Sequence, residues 1–344
     1  MKVDMQIGEP WTLAGFAEQA RYAQEHGYSG VWSAEAAHDP FLPLVSAASA
    51  APRVDLGTAI AVAFARNPMS LAHTAHDLAT LSGGRFLLGL GSQVRSHVER
   101  RFGMPWGHPA RRMREFIQAL RAIWASWNTG ERLAFRGEFY SHTLTTPFFA
   151  PPPCPSGPPK VYLAAVGDRM TEVAGSVCDG LIPHSFTTER YLRERTLPLV
   201  HRALTASGRD PAGFSVNLAG LVVTGATEEA MAVADRRVRE QIAFYGSTTD
   251  YVGVLELHGW AELGSELNRL ARSSRDDRWR TMGDLIDDEV LHAFAVVAEP
   301  DRLGDAVAAR FGDVVDRFRF YAPYEHHPGM LLPAVDVLNL RAER

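Results

Sequence analysis

Short apolar runs alternate along the chain with longer segments in which apolar residues recur every three or four positions. The runs have the length of buried β-strands, and the longer segments have the period of amphipathic helices. Clusters of glycine and proline separate the two kinds of segment. This pattern predicts eight strands, marked by Val3, Gly30, Leu56, Phe86, Val161, Leu181, Val216 and Val315.

The stretch 81–93 shows the repeating unit most clearly. A predicted helix, Pro68 to Leu81, leads through Gly83 and Gly84 to an apolar strand, Phe86 to Leu90, and then to a loop. The loop has the form Gly-x-Gly, which lacks the third glycine of a dinucleotide fingerprint and the Gly-Lys-Ser/Thr of a phosphate loop. By itself it indicates no more than a tight turn.

Eight strands alternating with helices predict a closed (β/α)8 TIM barrel. The alternative is an open, doubly wound sheet, which requires a reversal point that the pattern does not locate. We expect one domain over 1–344, with insertions near 128–159 and 246–280. The third strand is predicted to run from Val54 to Ala63, and the region 283–298 is predicted to be helical.

Composition and charge exclude several classes of protein. The chain has 344 residues, 46% of them hydrophobic, and a formal net charge of −5. It has no long basic run, which argues against nucleic acid as a partner. No apolar run reaches membrane-spanning length, and the first residues do not resemble a signal peptide. We therefore expect a cytoplasmic protein.

The cysteines and histidines give no pattern of a metal site. Cys154 and Cys178 are too few for a disulfide framework and indicate reduced thiols. His73 and His76 lie on one predicted helix, but a metal needs three or four converging ligands. We expect no metal.

Chemistry in a barrel of this kind lies in the loops at the carboxyl ends of the strands. Here those loops are 8–11, 35–39, 63–67, 91–93, 165–168 and 184–186, and they contain carboxylates, histidines, small residues and aromatics. The mixture suits an organic ligand with a flat ring and an anionic tail. Because 165–167 precedes a helix, its amides could hold phosphate; the plainer interpretation of each loop is an ordinary βα turn.

A series of motifs in a fixed order resembles the luciferase-like monooxygenase superfamily, and within it the coenzyme F420-dependent oxidoreductase branch. The motifs are Leu56-Gly57-Thr58, Arg66-Asn67-Pro68, the segment 78–85, Gly89-Leu90-Gly91-Ser92, Arg112-Met113-Arg114-Glu115, Gly137-Glu138-Phe139-Tyr140, the segment 161–167, Asp179-Gly180, the segment 244–248 and the segment 257–260. No single motif is diagnostic, but together they span nearly the whole chain.

The resemblance implies a TIM barrel that holds a deazaflavin and moves a hydride between its C5 and a small or medium organic substrate. It places a non-proline cis peptide at Ala59-Ile60 and implies a homodimer. The implied cofactor-binding residues are Ala59, Ile60, Gly91, Ser92, Gln93, Ala164, Ala165, Val166, Gly167, Gly180, Leu181 and His184; Glu9, Trp11, His97 and Trp106 would line the substrate pocket.

The sequence departs from the family after the second strand. Some members carry an Asp-His pair there, whereas this chain has Glu35-Ala36-Ala37-His38-Asp39. Glu35 or His38 is the candidate acid/base, because histidine titrates near neutrality and burial can raise the pKa of a glutamate. A substrate that needs no such acid is the other interpretation.

Two other functions share these features. One is a monooxygenase that uses reduced FMN, and the other is a partner subunit without a cofactor. A basic residue near the cofactor's exit would favour F420, whose anionic tail is longer; the candidates are Arg66, Arg95 and Arg169.

Overall fold

The computed structural model describes residues 1–274 and 276–342. Eight parallel strands form the barrel: β1 (Lys2–Gln6), β2 (Gly30–Ser33), β3 (Asp55–Thr58, continued by Ala61–Val62), β4 (Phe86–Gly91), β5 (Lys160–Ala165), β6 (Gly180–Pro183), β7 (Ser215–Val223) and β8 (Arg317–Tyr321). Strand β8 pairs with both β1 and β7, and β7 pairs with β6, so the sheet closes. The predicted TIM barrel is confirmed, and the open sheet is excluded.

Helices cover the outside of the barrel. Those of at least nine residues are Leu13–Glu25, Leu42–Ala50, Pro68–Leu81, Pro109–Thr129, Asp168–Val177, Leu197–Ala206, Glu228–Gly246, Ala261–Ala271, Pro300–Phe311 and Leu332–Ala342. Shorter ones are Arg95–Arg100, Glu189–Tyr191, the π-turn Leu192–Thr196, Val252–Leu257, Arg278–Gly283 and Asp288–Phe294. None of the described helices combines the length and apolarity that a membrane span requires.

Local sequence explains where several helices begin. The helix Pro68–Leu81 starts after Asn67, whose side chain accepts a hydrogen bond from the amide of Met69, and Pro68 occupies its first turn. Thr227 caps the helix Glu228–Gly246 in the same way through the amide of Ala230. Such caps satisfy amides that have no partner inside the helix.

Two predicted elements differ in the structure. Strand β3 is interrupted by a cis peptide at Ala59–Ile60, which the family resemblance had implied. The predicted helical region 283–298 ends as a short strand, Ala295–Val297. The reason is that β6 pairs with β7 only at Ser215 and Val216, so the same edge of β7 is free further along, where Leu221–Val223 pair with this strand.

The two segments predicted as insertions contain a hairpin and several helices. The first contains a small hairpin, Phe135–Arg136 with Ser141–His142, whose turn amides donate to the carboxylate of Glu115. The second carries the helices Val252–Leu257, Ala261–Ala271 and Arg278–Gly283, of which the last two pack on the helix Glu228–Gly246.

Polar groups fill the barrel at its amino end. The carboxylate of Asp4 is fully buried and accepts hydrogen bonds from the Trp32 indole at 2.8 Å and from Arg317 at 2.7 and 2.8 Å. Arg317 also donates to Asp55 at 2.6 Å. Because burial of charge is costly unless it is paired, this network ties together β1, β2, β3 and β8.

Candidate functional site

We call the carboxyl ends of the barrel strands the mouth, and the apolar residues just inside them the floor. Trp32, Leu87, Tyr162 and Ile182 form a small buried apolar cluster, and Ala59, Ile60 and Ala164 pack against it while half-buried. Two of the half-buried residues are alanines, and none of the seven carries a charge. The arrangement gives a flat ligand an apolar surface on which to lie.

Close contact between β3 and β4 explains the glycines of the Gly-x-Gly stretch. A Cβ on Gly89 would lie 1.7 Å from the Thr58 carbonyl oxygen, and one on Gly91 would lie 2.8 Å from Ile60 Cδ1. The Thr58 hydroxyl donates to the Gly89 carbonyl at 2.7 Å and accepts from its amide at 2.9 Å. These glycines hold the Ala59–Ile60 peptide against β4 and are not merely turn residues.

Ser92 and Gln93 form a tight loop after β4. Gln93 has a positive φ of 59°, its side-chain oxygen accepts from the Val94 amide at 3.0 Å, and Ser92 donates to its carbonyl at 3.1 Å. Both residues are half-buried beside Gly91. The chain therefore changes direction immediately after β4.

Glu35 is engaged by the loop that follows β3. Its Oε2 accepts from the Val62 amide at 2.7 Å and from Arg66 Nη1 at 2.6 Å, and its side chain is only 7% exposed. Arg66 also pairs with Asp39 at 3.1 Å. Glu35 thus joins the loops after β2 and β3.

His38 lies at the rim of the mouth, where its exposed ring packs against Trp11 with the centroids 4.0 Å apart and the ring planes tilted by 32°. Its nitrogens have no hydrogen-bond partner among the described residues. Trp11 follows a cis Glu9–Pro10 peptide, and its amide donates to Glu9 Oε2 at 3.2 Å. The structure therefore brings together three predicted residues, Glu9, Trp11 and His38.

Trp106 and His97, the other two predicted pocket residues, do not join the group of Glu9, Trp11 and His38. Trp106 packs edge-on against Phe64, which follows β3, with the centroids 5.8 Å apart. His97 is exposed on the helix Arg95–Arg100, and no contact in the described part of the chain links it to another predicted site residue.

The β5 loop presents a helix N-terminus with free amides. Gly167 precedes the helix Asp168–Val177, and its carbonyl accepts from the amides of Met170 and Thr171. The amides of Asp168 and Arg169 have no acceptor within the described residues, and a Cβ on Gly167 would meet open space. Such a terminus favours anions, although here Asp168 also contributes a carboxylate, which Arg195 binds.

Gly180 and Leu181 lie away from the mouth. Both are buried at the amino end of β6, where a Cβ on Gly180 would lie 2.3 Å from Tyr162 Cε1. Ala165 is also buried, whereas Ala164 and Val166 are half-buried. The structure therefore brings Ala164, Val166 and Gly167 to the mouth.

His184, at the end of β6, contacts two tyrosines that the sequence analysis did not single out as site residues. Its ring centroid lies 4.7 Å from that of Tyr245 and 4.4 Å from that of Tyr251. Burial lowers the pKa of His184 to about 4. Burial, with Tyr245 and Asp250 nearby, raises the pKa of Tyr251 to about 12.

Tyr321, at the end of β8, joins the same group through its hydroxyl, 3.0 Å from that of Tyr245. The sequence 317–321, Arg-Phe-Arg-Phe-Tyr, carried a signal for this residue, because alternation along a strand puts Arg317, Arg319 and Tyr321 on one face. Tyr245 and Tyr251 carried no such local signal.

Comparison with known proteins shows the family of this chain. The sequence pattern of the luciferase-like monooxygenase family matches residues 2–317. The chain belongs to the luciferase-like monooxygenase family. One family relative, an uncharacterized protein of Mycobacterium tuberculosis, is 51% identical over 317 residues, which cover 92% of each chain.

Two further similarities connect this luciferase-like chain to F420 proteins. A putative coenzyme F420-dependent oxidoreductase of Mycobacterium tuberculosis is 27% identical over 330 residues, covering 90% of this chain and 91% of the relative. The coenzyme F420-dependent tetrahydromethanopterin reductase of Methanopyrus kandleri superposes with a TM-score of 0.77 at 17% identity, covering 98% of this chain and 96% of the other. At that identity the structure shows a shared fold.

Proposed function

We propose that this luciferase-like protein is an F420-dependent oxidoreductase that acts on a small or medium organic molecule. The observation that carries the proposal is the mouth itself, where an apolar floor lies beside a helix N-terminus with two unpaired amides. A flat ring fits the floor, and a phosphate fits the amides. The F420-dependent name of a relative at 27% identity supports the same cofactor.

When bound, F420 supplies or accepts a hydride at C5, and the substrate gains or loses that hydride together with a proton. Ala59, Ile60 and Gly91 would carry the ring, with Ser92 and Gln93 at its polar edge. Ala164, Val166 and Gly167 would hold the ribityl and phosphate groups, and the buried residues Ala165, Gly180 and Leu181 would support them from below. The protein's task is to orient the two reactants and to manage the proton.

The anionic tail distinguishes F420 from FMN, and Arg169 is the arginine best suited to bind it. Arg66 already pairs with Glu35 and Asp39, and Arg95 pairs with Glu99. Arg169 is exposed beside the free amides of the helix N-terminus and has no carboxylate partner among the described residues. Its charge remains available for a ligand.

For the proton we propose His38, with Glu35 as a positioning residue. Glu35 Oε2 is engaged by Arg66 and by the Val62 amide, whereas the imidazole of His38 is exposed at the rim. Histidine exchanges protons readily near neutral pH. Glu9, Trp11, His97 and Trp106 stay predictions as pocket residues.

A second candidate function is a monooxygenase that uses reduced FMN, which the description of the family favours. The same floor and phosphate site would serve it. A third, a partner subunit without a cofactor, predicts that neither F420 nor FMN binds.

Fluorescence titration of the purified protein with F420, FMN and the deazaflavin riboside tests the proposal. We expect F420 to bind at least tenfold more tightly than the riboside, which lacks the phosphate and tail. Arg169→Ala should weaken F420 binding several-fold without affecting the riboside, and Arg95→Ala is the matched control. Preference for FMN would support the monooxygenase, and no binding at all would support the partner subunit.

We also propose a homodimer in the cytoplasm. Leu13, Leu42 and Val45 are 70%, 63% and 45% exposed on two helices that pack together beside β2. Exposed apolar side chains in one area are typical of a contact surface. The location stays a prediction from the cysteine content; both cysteines are buried free thiols.

A further inference from the structure

Four aromatic residues lie together on the β6–β8 side of the mouth: His184, Tyr245, Tyr251 and Tyr321, here called the tyrosine cluster. Their position follows from β8, where Tyr321 shares a face with Arg319. Arg319 is 4% exposed inside the barrel and donates to Gln6 at 2.8 Å and to Asn217 at 3.2 Å. Tyr321 is one step further toward the mouth on the same face, and all four cluster residues are half-buried.

A count of hydrogens shows two unused donors in the cluster. The Tyr245 and Tyr321 hydroxyls share one hydrogen bond, so one O–H remains, and neither hydroxyl has another partner within residues 1–274 and 276–342. His184 Nδ1 accepts from the Phe186 amide at 3.0 Å, which places the hydrogen of the neutral ring on Nε2. Nε2 has no partner among the described residues.

The cluster is uncharged at neutral pH. Burial lowers the pKa of His184 and raises the pKa of all three tyrosines. The charged groups nearest in sequence are Asp250, an exposed carboxylate next to Tyr251, and Arg319, which lies one step below Tyr321 and already donates to Gln6 and Asn217. The apolar rings Phe186 and Phe294, stacked with centroids 4.4 Å apart, close the outer side. Two neutral donors beside a carboxylate and an aromatic wall favour an uncharged oxygen over a phosphate or carboxylate.

We propose that His184, Tyr245 and Tyr321 bind the oxygen of the substrate, which is an uncharged carbonyl compound or the alcohol formed from it. The inference rests on the proposed function and names its substrate class. It assigns His184 to the substrate, whereas the family resemblance implied a cofactor-binding role. Hydrogen bonds from the cluster orient the carbonyl group and draw electron density toward its oxygen, so its carbon accepts the hydride more readily. The cluster takes no proton role; that remains with His38.

Three probes of nearly equal shape test the proposal: acetophenone, α-methylstyrene and benzoate. They present, in turn, a neutral oxygen, a methylene group and a carboxylate next to the same ring. Dissociation constants are measured by NMR titration of the protein with and without oxidised F420. We expect acetophenone to bind about fivefold more tightly than α-methylstyrene, as one hydrogen bond predicts, and benzoate to bind most weakly.

Substitutions then test which residues cause the preference for acetophenone. Tyr245→Phe and Tyr321→Phe should each remove most of the preference for acetophenone and leave F420 binding unchanged. Tyr22→Phe is the control, because that buried hydroxyl has no hydrogen-bond partner and lies on an outer helix. Melting temperatures check that the variants fold.

The outcomes separate this inference from the proposed function. Equal binding of the three probes, undetectable binding, a preference for benzoate, or a preference that survives in both variants would overturn the substrate class. Failure of the wild-type protein to bind F420 would instead overturn the proposed function, and the probe titration without F420 would still test the cluster.

Discussion

The Arg66 guanidinium holds the Glu35 carboxylate at 2.6 Å, while the Val62 amide donates to the same oxygen at 2.7 Å. Together with the Glu35 amide, which donates to the Ile60 carbonyl at 3.1 Å, this contact fixes the chain immediately after the Ala59–Ile60 peptide. A carboxylate used in this way supports the floor of the site. The Glu35–Arg66 pair therefore indicates a structural role for Glu35 and not a chemical one.

Glu35→Gln should accordingly lower stability more than it lowers chemistry. The amide keeps an acceptor for Val62 but loses the charge opposite Arg66, which we expect to cost about 1–3 kcal/mol of unfolding free energy. Once a substrate is known, kcat measured well below the melting temperature should fall less than tenfold. A fall of a thousandfold or more in a fully folded variant would make Glu35 the acid/base instead.

His38→Ala should show the opposite behaviour. The side chain is exposed, so the melting temperature should change little, whereas loss of general acid–base catalysis lowers kcat by about 10²–10⁴-fold. F420 affinity, measured by fluorescence, should remain. His201→Ala, on an outer helix, is the control for losing an exposed imidazole. An unchanged kcat would exclude His38 from the proton transfer.

Gly89 and Gly167 allow a comparison between a glycine that close packing requires and a glycine that faces open space. A Cβ on Gly89 would lie 1.7 Å from a backbone oxygen, so Gly89→Ala should cost about 3 kcal/mol or more. Gly167→Ala meets open space at an ordinary φ of −84° and should leave the unfolding free energy nearly unchanged. If the phosphate lies against this loop, the same variant should weaken F420 binding. Urea unfolding and the F420 titration measure both effects, and a stable Gly89→Ala would contradict the packing described.

Local periodicity predicted the barrel well, because each strand and helix carries its own pattern. The bounds of β2 and of the helix Pro68–Leu81 agree with those predicted. The short strand Ala295–Val297 was missed because it forms by pairing with a distant element, the end of β7 beyond the residues that pair with β6.

The site was harder to predict than the fold for the same physical reason. Tyr245 and Tyr321 are 76 residues apart and meet only because the barrel closes. Their partner His184 was expected at the site from its strand-end position, but its environment depends on the second insertion. Conversely, the family resemblance implied Gly180 and Leu181 as cofactor-binding residues, yet they are buried where β6 begins.

The proposed dimer face predicts a change of mass in solution. Leu42→Lys combined with Val45→Lys places two charges in the proposed contact, and burying them without partners would be costly. We expect light scattering to show a dimer for the wild type and a monomer for the double variant. Leu144→Lys, at a site 78% exposed in the first insertion, is the control and should leave the mass unchanged. A dimer that survives the double variant would place the contact elsewhere.

The buried imidazole of His184 predicts how stability depends on pH. Its pKa in the folded protein is about 4, against 6.5 for a free imidazole. The unfolded chain therefore binds a proton between these values that the folded protein does not, so stability is complete above pH 6.5 and decreases toward pH 4. The full loss from this residue amounts to at most about 3 kcal/mol.

His184→Asn tests this dependence directly, because Asn keeps an acceptor for the Phe186 amide and does not titrate. Urea unfolding near pH 7.5 and pH 5 should show a smaller loss of stability in the variant than in the wild type, whereas His201→Asn should match the wild type. Parallel losses in all three proteins would mean that His184 is protonated as easily in the folded state as in the unfolded one. In that case the cluster would carry a positive charge at mildly acidic pH, and the preference for uncharged substrates would reverse there.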